Sequence, residues 1–151
     1  MIYAGIAAGI FLLELFLKGY IEKNKTEGKI EEKCGGVLWI RKYHNKGAFL
    51  NLMEKHRPVV AGISIIFSIV LTVMFVLTLG KKGKAPLKTG LALLLGGSYS
   101  NTYDRLRRKY VVDYFSIHIP KGPFKKLSTV IFNIADFCIM IGAMIMVIAL
   151  S

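Results

Sequence analysis

The chain has 151 residues, of which 54% are hydrophobic and 20% are charged, and its mean hydropathy is +0.50. The apolar residues gather into long runs with the charged residues between them, which excludes a disordered chain, a collagen-like chain and an ordinary soluble globule. Because the basic residues behind the formal net charge of +12 fill the gaps between these runs, a membrane surface with anionic lipid is a better partner than nucleic acid.

Four apolar runs predict four membrane-spanning helices, at about residues 1–18, 58–79, 86–106 and 130–150. A spanning helix needs about 20 mostly apolar residues, which the second and fourth runs supply outright. The first run is slightly short, so we expect Lys18 and Tyr20 to reach back to the interface along their apolar stems. The third run is the weakest, because it spans only if its helix continues through Asn101. Backbone groups in hydrocarbon must be paired within their segment, so a helix is expected in each run.

The polar residues lie mainly in the connections at about 19–57 and 107–129. The first contains EKNKTEGKIEEK, interpreted as a solvated turn or helix end. It continues into VLWIRKYHNKGAFLNLM, whose aromatic and β-branched residues predict short strands with an amphipathic segment. The expected fold is an all-α integral membrane protein, one domain over residues 1–151, with a small β or amphipathic element in the first connection.

Two aspartates beside the third and fourth runs are the candidate catalytic groups. Asp113 lies in the apolar stretch YVVDYF, and Asp136 is followed by an apolar stretch without a base. A carboxylate near hydrocarbon costs at least about 2.5–3.5 kcal/mol, so it is kept with a partner or for a function. If both runs end at one membrane face, the two carboxylates meet, cannot easily both ionise, and supply an acid and a base. A catalytic pair and a structural or ion-handling role have equal support from these residues.

Other charged residues in the runs fit structural roles. Asp104 has Arg105 and Arg108 within one helical turn, so we expect it to be paired. Glu14 and Lys18 stand at i and i+4 on one helix face, which suits an intramembrane ion pair. The two cysteines form no CxxC motif or Cys/His cluster, so a zinc site has little support.

Three linked motifs carry a family resemblance. The stretch GGSYSNTYDRLRRKYVVDYF, followed by FNIADFCIMIG, resembles prolipoprotein signal peptidase, the lipoprotein-specific aspartyl protease or type II signal peptidase. HNKGAF and ELFLK resemble the family's N-x-G-A-A-F and DQ-x-x-K, with Glu14 in place of Asp and Leu15 in place of Gln. The family pattern GN-x-x-DR, VVDF and FN-x-AD is matched at Asn101, Asp104, Arg105, Asp113, Asn133, Ala135 and Asp136.

The resemblance implies an aspartyl endopeptidase that cleaves the signal peptide of a prolipoprotein just before a cysteine carrying a diacylglyceryl group. Asp113 and Asp136 would be the catalytic pair, with neither a covalent intermediate nor a metal or other cofactor. The residues implied to hold the substrate backbone or the pair are Asn45, Asn101, Arg105 and Asn133. The implied partners are lipid-modified prolipoproteins and membrane phospholipids, not nucleic acid, and the chain is expected to be a monomer.

The orientation in the membrane follows the resemblance rather than the charge count. Lys and Arg number ten in residues 18–57, four in 80–88 and seven in 100–129. Raw counts under the positive-inside rule put the first and third connections in the cytoplasm, whereas the second has the highest density. The family places the active site near the extracytoplasmic face of the bacterial inner or plasma membrane, and we adopt that orientation.

Two alternative functions stay open. One is a small proton- or ion-coupled carrier in which Asp113, Asp136 and Glu14 are relay sites. The other is a non-enzymatic membrane assembly protein in which the polar residues only hold the helices together. A relay would want carboxylates distributed through the membrane depth, whereas these gather toward one face.

Overall fold

The computed structural model describes residues 1–48, 52–119, 121–123 and 125–150. Its helical part consists of α1 (Ile2–Asn24), α2 (Arg57–Leu79), α3 (Ala85–Arg107) and α4 (Ile134–Leu150). Three strands, β1 (Ile30–Lys33), β2 (Leu38–Asn45) and β3 (Val111–Ile117), form one antiparallel sheet in that order. The protein is therefore mostly helical with a small sheet at one end of the helices.

Helix α3 is the centre of the helical part and packs against α1, α2 and α4. This position explains its composition, because its buried face carries polar side chains that meet polar groups of its neighbours. Ser68 of α2, for example, shares hydrogen bonds with Ser98 and Thr102 of α3 at 2.8 and 3.0 Å. The apolar core of the bundle lies toward its other end, where Leu91 and Leu95 pack with residues of α1 and α2.

Two helical segments of the described residues, Ile2–Asn24 and Glu54–Leu79, are long and apolar enough to cross a membrane. Helix α4 is apolar but has 17 residues. Helix α3 has 23 residues, yet many of its polar side chains, such as Ser98, Asn101 and Asp104, are buried in the bundle. Of the four helices expected to span a membrane, α1 and α2 therefore have the length and composition that spanning requires. Large apolar side chains are exposed along α1, α2 and α4, as they are on a surface covered by lipid.

The boundaries of the first and last helices differ from those expected. Helix α1 continues to Asn24 because Ile21 is buried against Val112 and Tyr114 of β3. Lys18 is 1% exposed, so the expectation that it reaches the interface was wrong. Helix α4 begins at Ile134 rather than near 130, because Phe132 pairs with the sheet instead of continuing the helix.

The sheet is built from both long connections, not from the first alone. Strand β2 occupies the segment predicted to contain strands, and β1 takes the end of the stretch interpreted as a turn. Strand β3 comes from the third connection, where β-branched and aromatic residues of VVDYFSI favour an extended chain. The last residue of the HNKGAF segment, Phe49, lies outside the described residues.

Glycines let α3 approach its neighbours at backbone distance. A Cβ added to Gly142 of α4 would lie 2.6 Å from the carbonyl oxygen of Gly90 in α3. A Cβ added to Gly97 would lie 2.5 Å from the carbonyl oxygen of Ala135. These positions admit no side chain, so small residues set the close packing of α3 and α4.

We expect Gly142→Ala to destabilise the protein by about 1–3 kcal/mol, because the new methyl group must displace backbone atoms. The matched control is Gly5→Ala, since a Cβ at Gly5 meets nothing within 4 Å. Thermal unfolding in detergent should lower the midpoint for Gly142→Ala and leave it unchanged or slightly raised for the control. Equal midpoints for the two variants would contradict the close packing.

Candidate active site

Strand β3 carries Asp113 to the end of the helical bundle. Side chains alternate across a strand, so Val112 and Tyr114 face α1 while Val111 and Asp113 face a cavity on the other side. Asp113 is 2% exposed and stands opposite Tyr43 of β2. Two residues along β2, Asn45 donates from Nδ2 to Asp113 Oδ2 at 3.1 Å.

Asp136 lies in the first turn of α4, where it forms a reciprocal cap with Asn133. The N–H of Asp136 donates to Asn133 Oδ1 at 2.9 Å, and the N–H of Asn133 donates to Asp136 Oδ2 at 3.1 Å. This exchange satisfies two backbone groups that the start of a helix leaves free. The spacing Asn-x-x-Asp therefore starts the helix and orients the carboxylate.

A backbone bridge brings the start of α4 to β3. The N–H of Phe132 donates to the carbonyl oxygen of Phe115 at 2.7 Å, and the N–H of Tyr114 donates to that of Phe132 at 2.9 Å. Because Asn133 follows Phe132 directly, its side chain reaches Asp113 and donates from Nδ2 to Oδ1 at 2.7 Å. The two aspartates, 23 positions apart in the chain, thereby come to one place.

Three asparagine side chains, Asn45, Asn101 and Asn133, form what we call the amide frame. Asn101 of α3 donates from Nδ2 to Asp136 Oδ1 at 2.9 Å. Together with the backbone N–H of Asn133, the frame gives every oxygen of Asp113 and Asp136 one hydrogen-bond donor. Each oxygen keeps a further lone pair for a proton or a water molecule.

The two carboxylates line one cavity of about 250 Å³, together with Asn45, Asn101 and Arg105. Arg105 donates to the carbonyl oxygens of Asn101 at 3.3 Å and Gly47 at 3.2 Å, which ties α3 to the segment after β2. The residues that the motifs pointed to as catalytic or supporting thus line this cavity, except Asn133, which lies behind it and contacts Asp113. Tyr43, Ala48, Val111 and residues 129–132 complete its lining.

Burial, followed by the charge of Asp136, raises the pKa of Asp113 to about 7. The hydrogen bonds from Asn45 and Asn133 act in the opposite direction, because they favour the ionised form. The raised pKa favours retention of one proton by this pair of carboxyl groups near neutral pH.

A buried ionic cluster lies on the side of Asn101 away from the cavity. The ammonium group of Lys18 donates to Asn101 Oδ1 at 2.8 Å and Ser100 Oγ at 2.9 Å. It also lies 3.4 Å from Glu14 Oε2 and 3.1 Å from Asp104 Oδ2. The predicted i, i+4 pair of Glu14 and Lys18 is present, and Lys18 further fixes the amide that faces Asp136.

Of the two predicted partners of Asp104, the structure confirms Arg108 but not Arg105. Arg108 forms an ion pair with Asp104 Oδ1, whereas Arg105 turns to the cavity. Lys18 takes the other oxygen, which also accepts the backbone N–H of Val112 at 3.2 Å. Asp104 therefore joins α1, α3 and β3, as expected of a structural carboxylate.

Sequence reasoning missed Tyr114. Its hydroxyl donates to Glu14 Oε1 and accepts the N–H of Ile134 at 3.1 Å. Burial, followed by the charge of Glu14, raises the pKa of Tyr114, so the hydroxyl stays protonated. The alternation of YVVDYF was the available signal, since it places Tyr114 on the face of β3 opposite Asp113.

Comparisons with known proteins agree with this architecture. A family model described as signal peptidase (SPase) II matches residues 6–151. One similar solved structure, described as a bacterial membrane enzyme determined in meso at 2.3 Å, has 25% identity and a TM-score of 0.80, and the match covers 98% of this chain and 86% of that one. A second, described in the same words at 1.9 Å, has 25% identity and a TM-score of 0.76, with 98% and 91% covered.

The raised pKa of Asp113 predicts a specific loss of stability with rising pH. Its folded pKa of about 7 lies above the unfolded value of 3.8, so the stabilising contribution is complete below the unfolded value and is lost as pH rises through about 7. Between pH 4 and about 8 the free energy of unfolding should fall more in the wild type than in Asp113→Asn, by up to about 4 kcal/mol. Denaturant unfolding at a series of pH values measures this difference. Parallel profiles would show that Asp113 titrates normally.

The ionic cluster predicts that Lys18→Met destabilises the protein by about 3–5 kcal/mol, because Glu14 and Asp104 lose a buried cation. Lys23→Met, at an exposed position of the same helix, should change the free energy of unfolding by less than about 0.5 kcal/mol. Adding Glu14→Gln to Lys18→Met should recover part of the loss, since it removes one uncompensated charge. Thermal unfolding of the four proteins checks this, and equal stability of the two lysine variants would refute it.

Proposed function

The chain belongs to the signal peptidase II family and is a peptidase, and we propose that it is an aspartyl endopeptidase that removes the signal peptide of diacylglyceryl-modified prolipoproteins. The observation that carries this proposal is the placement of Asp113 and Asp136 on one cavity, with each oxygen held by one donor. We place the cut just before the lipid-modified cysteine, as the family resemblance implies.

The chemistry follows from one proton shared by two carboxyl groups. The protonated group donates to the carbonyl oxygen of the scissile peptide bond, which makes its carbon more electrophilic. The ionised group accepts a proton from a water molecule as that water attacks the carbon. The proton then passes to the leaving amine, so the bond breaks without a covalent intermediate. The amide frame keeps both carboxyl groups oriented through these transfers.

We propose that the cavity lies where a peptide next to a membrane can reach it. The C-terminal ends of α1 and α3 and the N-terminal ends of α2 and α4 share one end of the bundle. Lys18 contacts Asn101, Thr102 donates to the carbonyl oxygen of Ser64, and a Cβ on Gly97 would meet Ala135. The sheet covers this same end. We propose that all four helices span the bilayer and that this end faces the extracytoplasmic side of a bacterial inner or plasma membrane. The connection with Lys81, Lys82 and Lys84 then lies in the cytoplasm.

The supporting residues divide by what they touch. The amide frame contacts the carboxyl groups and is expected to hold their ionisation states. Arg105 faces the cavity with one edge bound to backbone carbonyls, so we propose that it binds the substrate backbone beside the pair. Glu14, Lys18 and Asp104 are structural, because they are buried away from the cavity.

Replacing either aspartate by its amide isostere should abolish cleavage. We expect Asp113→Asn and Asp136→Asn to lower the turnover of a diacylglyceryl-modified precursor by at least about 10²–10⁴-fold, the contribution of positioned acids and bases. A mobility shift on a gel measures turnover, and mass spectrometry of the product shows whether its first residue is the modified cysteine. Glu27→Gln is the matched control, since Glu27 is 57% exposed and lies away from the cavity.

The alternatives give different results in the same assay. Persistent cleavage by folded Asp136→Asn protein would reject the catalytic pair. An assembly protein would show no cleavage in the wild type and would tolerate both substitutions. A proton-coupled carrier would also lack cleavage, and in vesicles both variants would abolish its proton flux. A precursor without the diacylglyceryl group should be cut poorly by the wild type if the lipid is part of the recognised substrate.

A further inference from the structure

A second groove lies beside the candidate active site, between α2 and α3. Its volume is about 580 Å³, within the range of about 300–1,000 Å³ that is typical of ligand pockets. Its apolar walls include Val60, Ile65 and Leu106. Arg105 lines both this groove and the catalytic cavity, so the two sites share one wall.

The groove continues along the lipid-facing surface of the bundle. A neighbouring apolar groove of about 360 Å³ shares Ile65 and Leu106 with it. This continuation runs toward the middle of α2 and α3 past Ile69, Thr72 and Tyr99. We call these two grooves together the track. It begins at the end of the bundle that the sheet covers and runs between α2 and α3 toward their middle.

The mouth of the track is basic. Lys46, Arg57 and Lys109 line it, and all three are exposed. Among the residues that the structure describes, the Arg57 side chain has no ion-pair or hydrogen-bond partner, and Lys109 donates only to the carbonyl oxygen of Leu106 at 3.0 Å. Glu54, the acidic residue nearest to Arg57 in the sequence, does not line the groove. Cations above an apolar track match an anionic headgroup above acyl chains.

We propose that this track binds an anionic glycerophospholipid, with its phosphate between Arg57 and Lys109 and an acyl chain along Ile65 and Ile69. The diacylglyceryl group of a lipoprotein precursor carries no charge, so it would not use the cations at the mouth. The bound lipid is therefore a component of the bilayer rather than part of the substrate. Arg105 lines the groove of this lipid and also donates to the carbonyl oxygen of Gly47. The bound lipid would therefore lie next to the segment after β2 that Arg105 joins to α3.

The first test neutralises the mouth. Wild type, Arg57→Gln/Lys109→Gln and the control Lys81→Gln/Lys82→Gln are purified from bilayers containing phosphatidylglycerol and phosphatidylcholine, and retained lipid is counted by native mass spectrometry. The groove variant should retain about tenfold less phosphatidylglycerol than wild type, as expected for the loss of two cations beside an anionic headgroup. The control has the same change in charge at the other end of the bundle and should retain as much as wild type.

The second test fills the groove without changing its charge. Gly62 lines the groove, and a Cβ there meets nothing within 4 Å, so Gly62→Leu places a side chain in open space. We expect Gly62→Leu to reduce phosphatidylglycerol retention while the unfolding midpoint in lipid-free detergent stays at the wild-type value. Gly9→Leu is the matched control, since a Cβ at Gly9 of α1 also meets nothing within 4 Å.

Three results would overturn the proposal, two from lipid retention and one from enzyme kinetics. One is equal retention of phosphatidylglycerol by wild type and both groove variants, and the other is equal retention of the two lipids by wild type. Binding of the substrate's own lipid there would instead raise KM for a lipidated precursor in Arg57→Gln/Lys109→Gln in phospholipid-free detergent, and that outcome also counts against the proposal. Retention by Asp136→Asn should match wild type, so the test does not depend on the catalytic proposal.

Discussion

The side chain of Asn133 donates to Asp113 while its oxygen accepts the N–H of Asp136, and its own N–H is accepted by the Asp136 carboxylate. This one residue therefore starts α4, orients one carboxyl group and contacts the other. Its position depends on the backbone bridge between Phe132 and Phe115, which holds the entry of α4 against β3. If that bridge were lost, the contact of Asn133 with Asp113, which links the start of α4 to β3, would no longer be held in place.

The site requires polar groups in a place with little water, and the bundle meets this requirement by pairing them. Lys18 compensates Glu14 and Asp104 in the interior and also donates to the amide of Asn101. A carboxyl pair that shares a proton gains from the same low polarity, because burial makes the second ionisation unfavourable. The paired interior charges and the raised pKa of Asp113 are thus two consequences of placing polar groups at the end of an apolar bundle.

The close approach of α3 to its neighbours gives the site its precision. Helices that meet through Gly90 and Gly142 cannot slide past one another without a backbone clash, so the depth of Asn101 relative to Asp136 is set by packing far from the cavity. On the other side of α3, packing against α2 is less complete and leaves the basic-mouthed groove. One helix thereby separates the polar cavity of the candidate active site from an apolar groove, and Arg105 lines both.

Local spacing predicted the apolar runs and the Glu14–Lys18 pair from the sequence by itself, and the resemblance carried by three linked motifs pointed to Asp113 and Asp136 as the catalytic pair. The ion pair depends on residues four positions apart, and the helices depend on apolar runs that are long enough to span a bilayer. Only the tertiary structure decided that Lys18 points inward to α3 and that Tyr114 joins α1 to α4. Those contacts link positions up to 100 residues apart in the chain. They arise when helices and strands pack, because packing chooses the partner of each buried polar group from among many that the sequence allows.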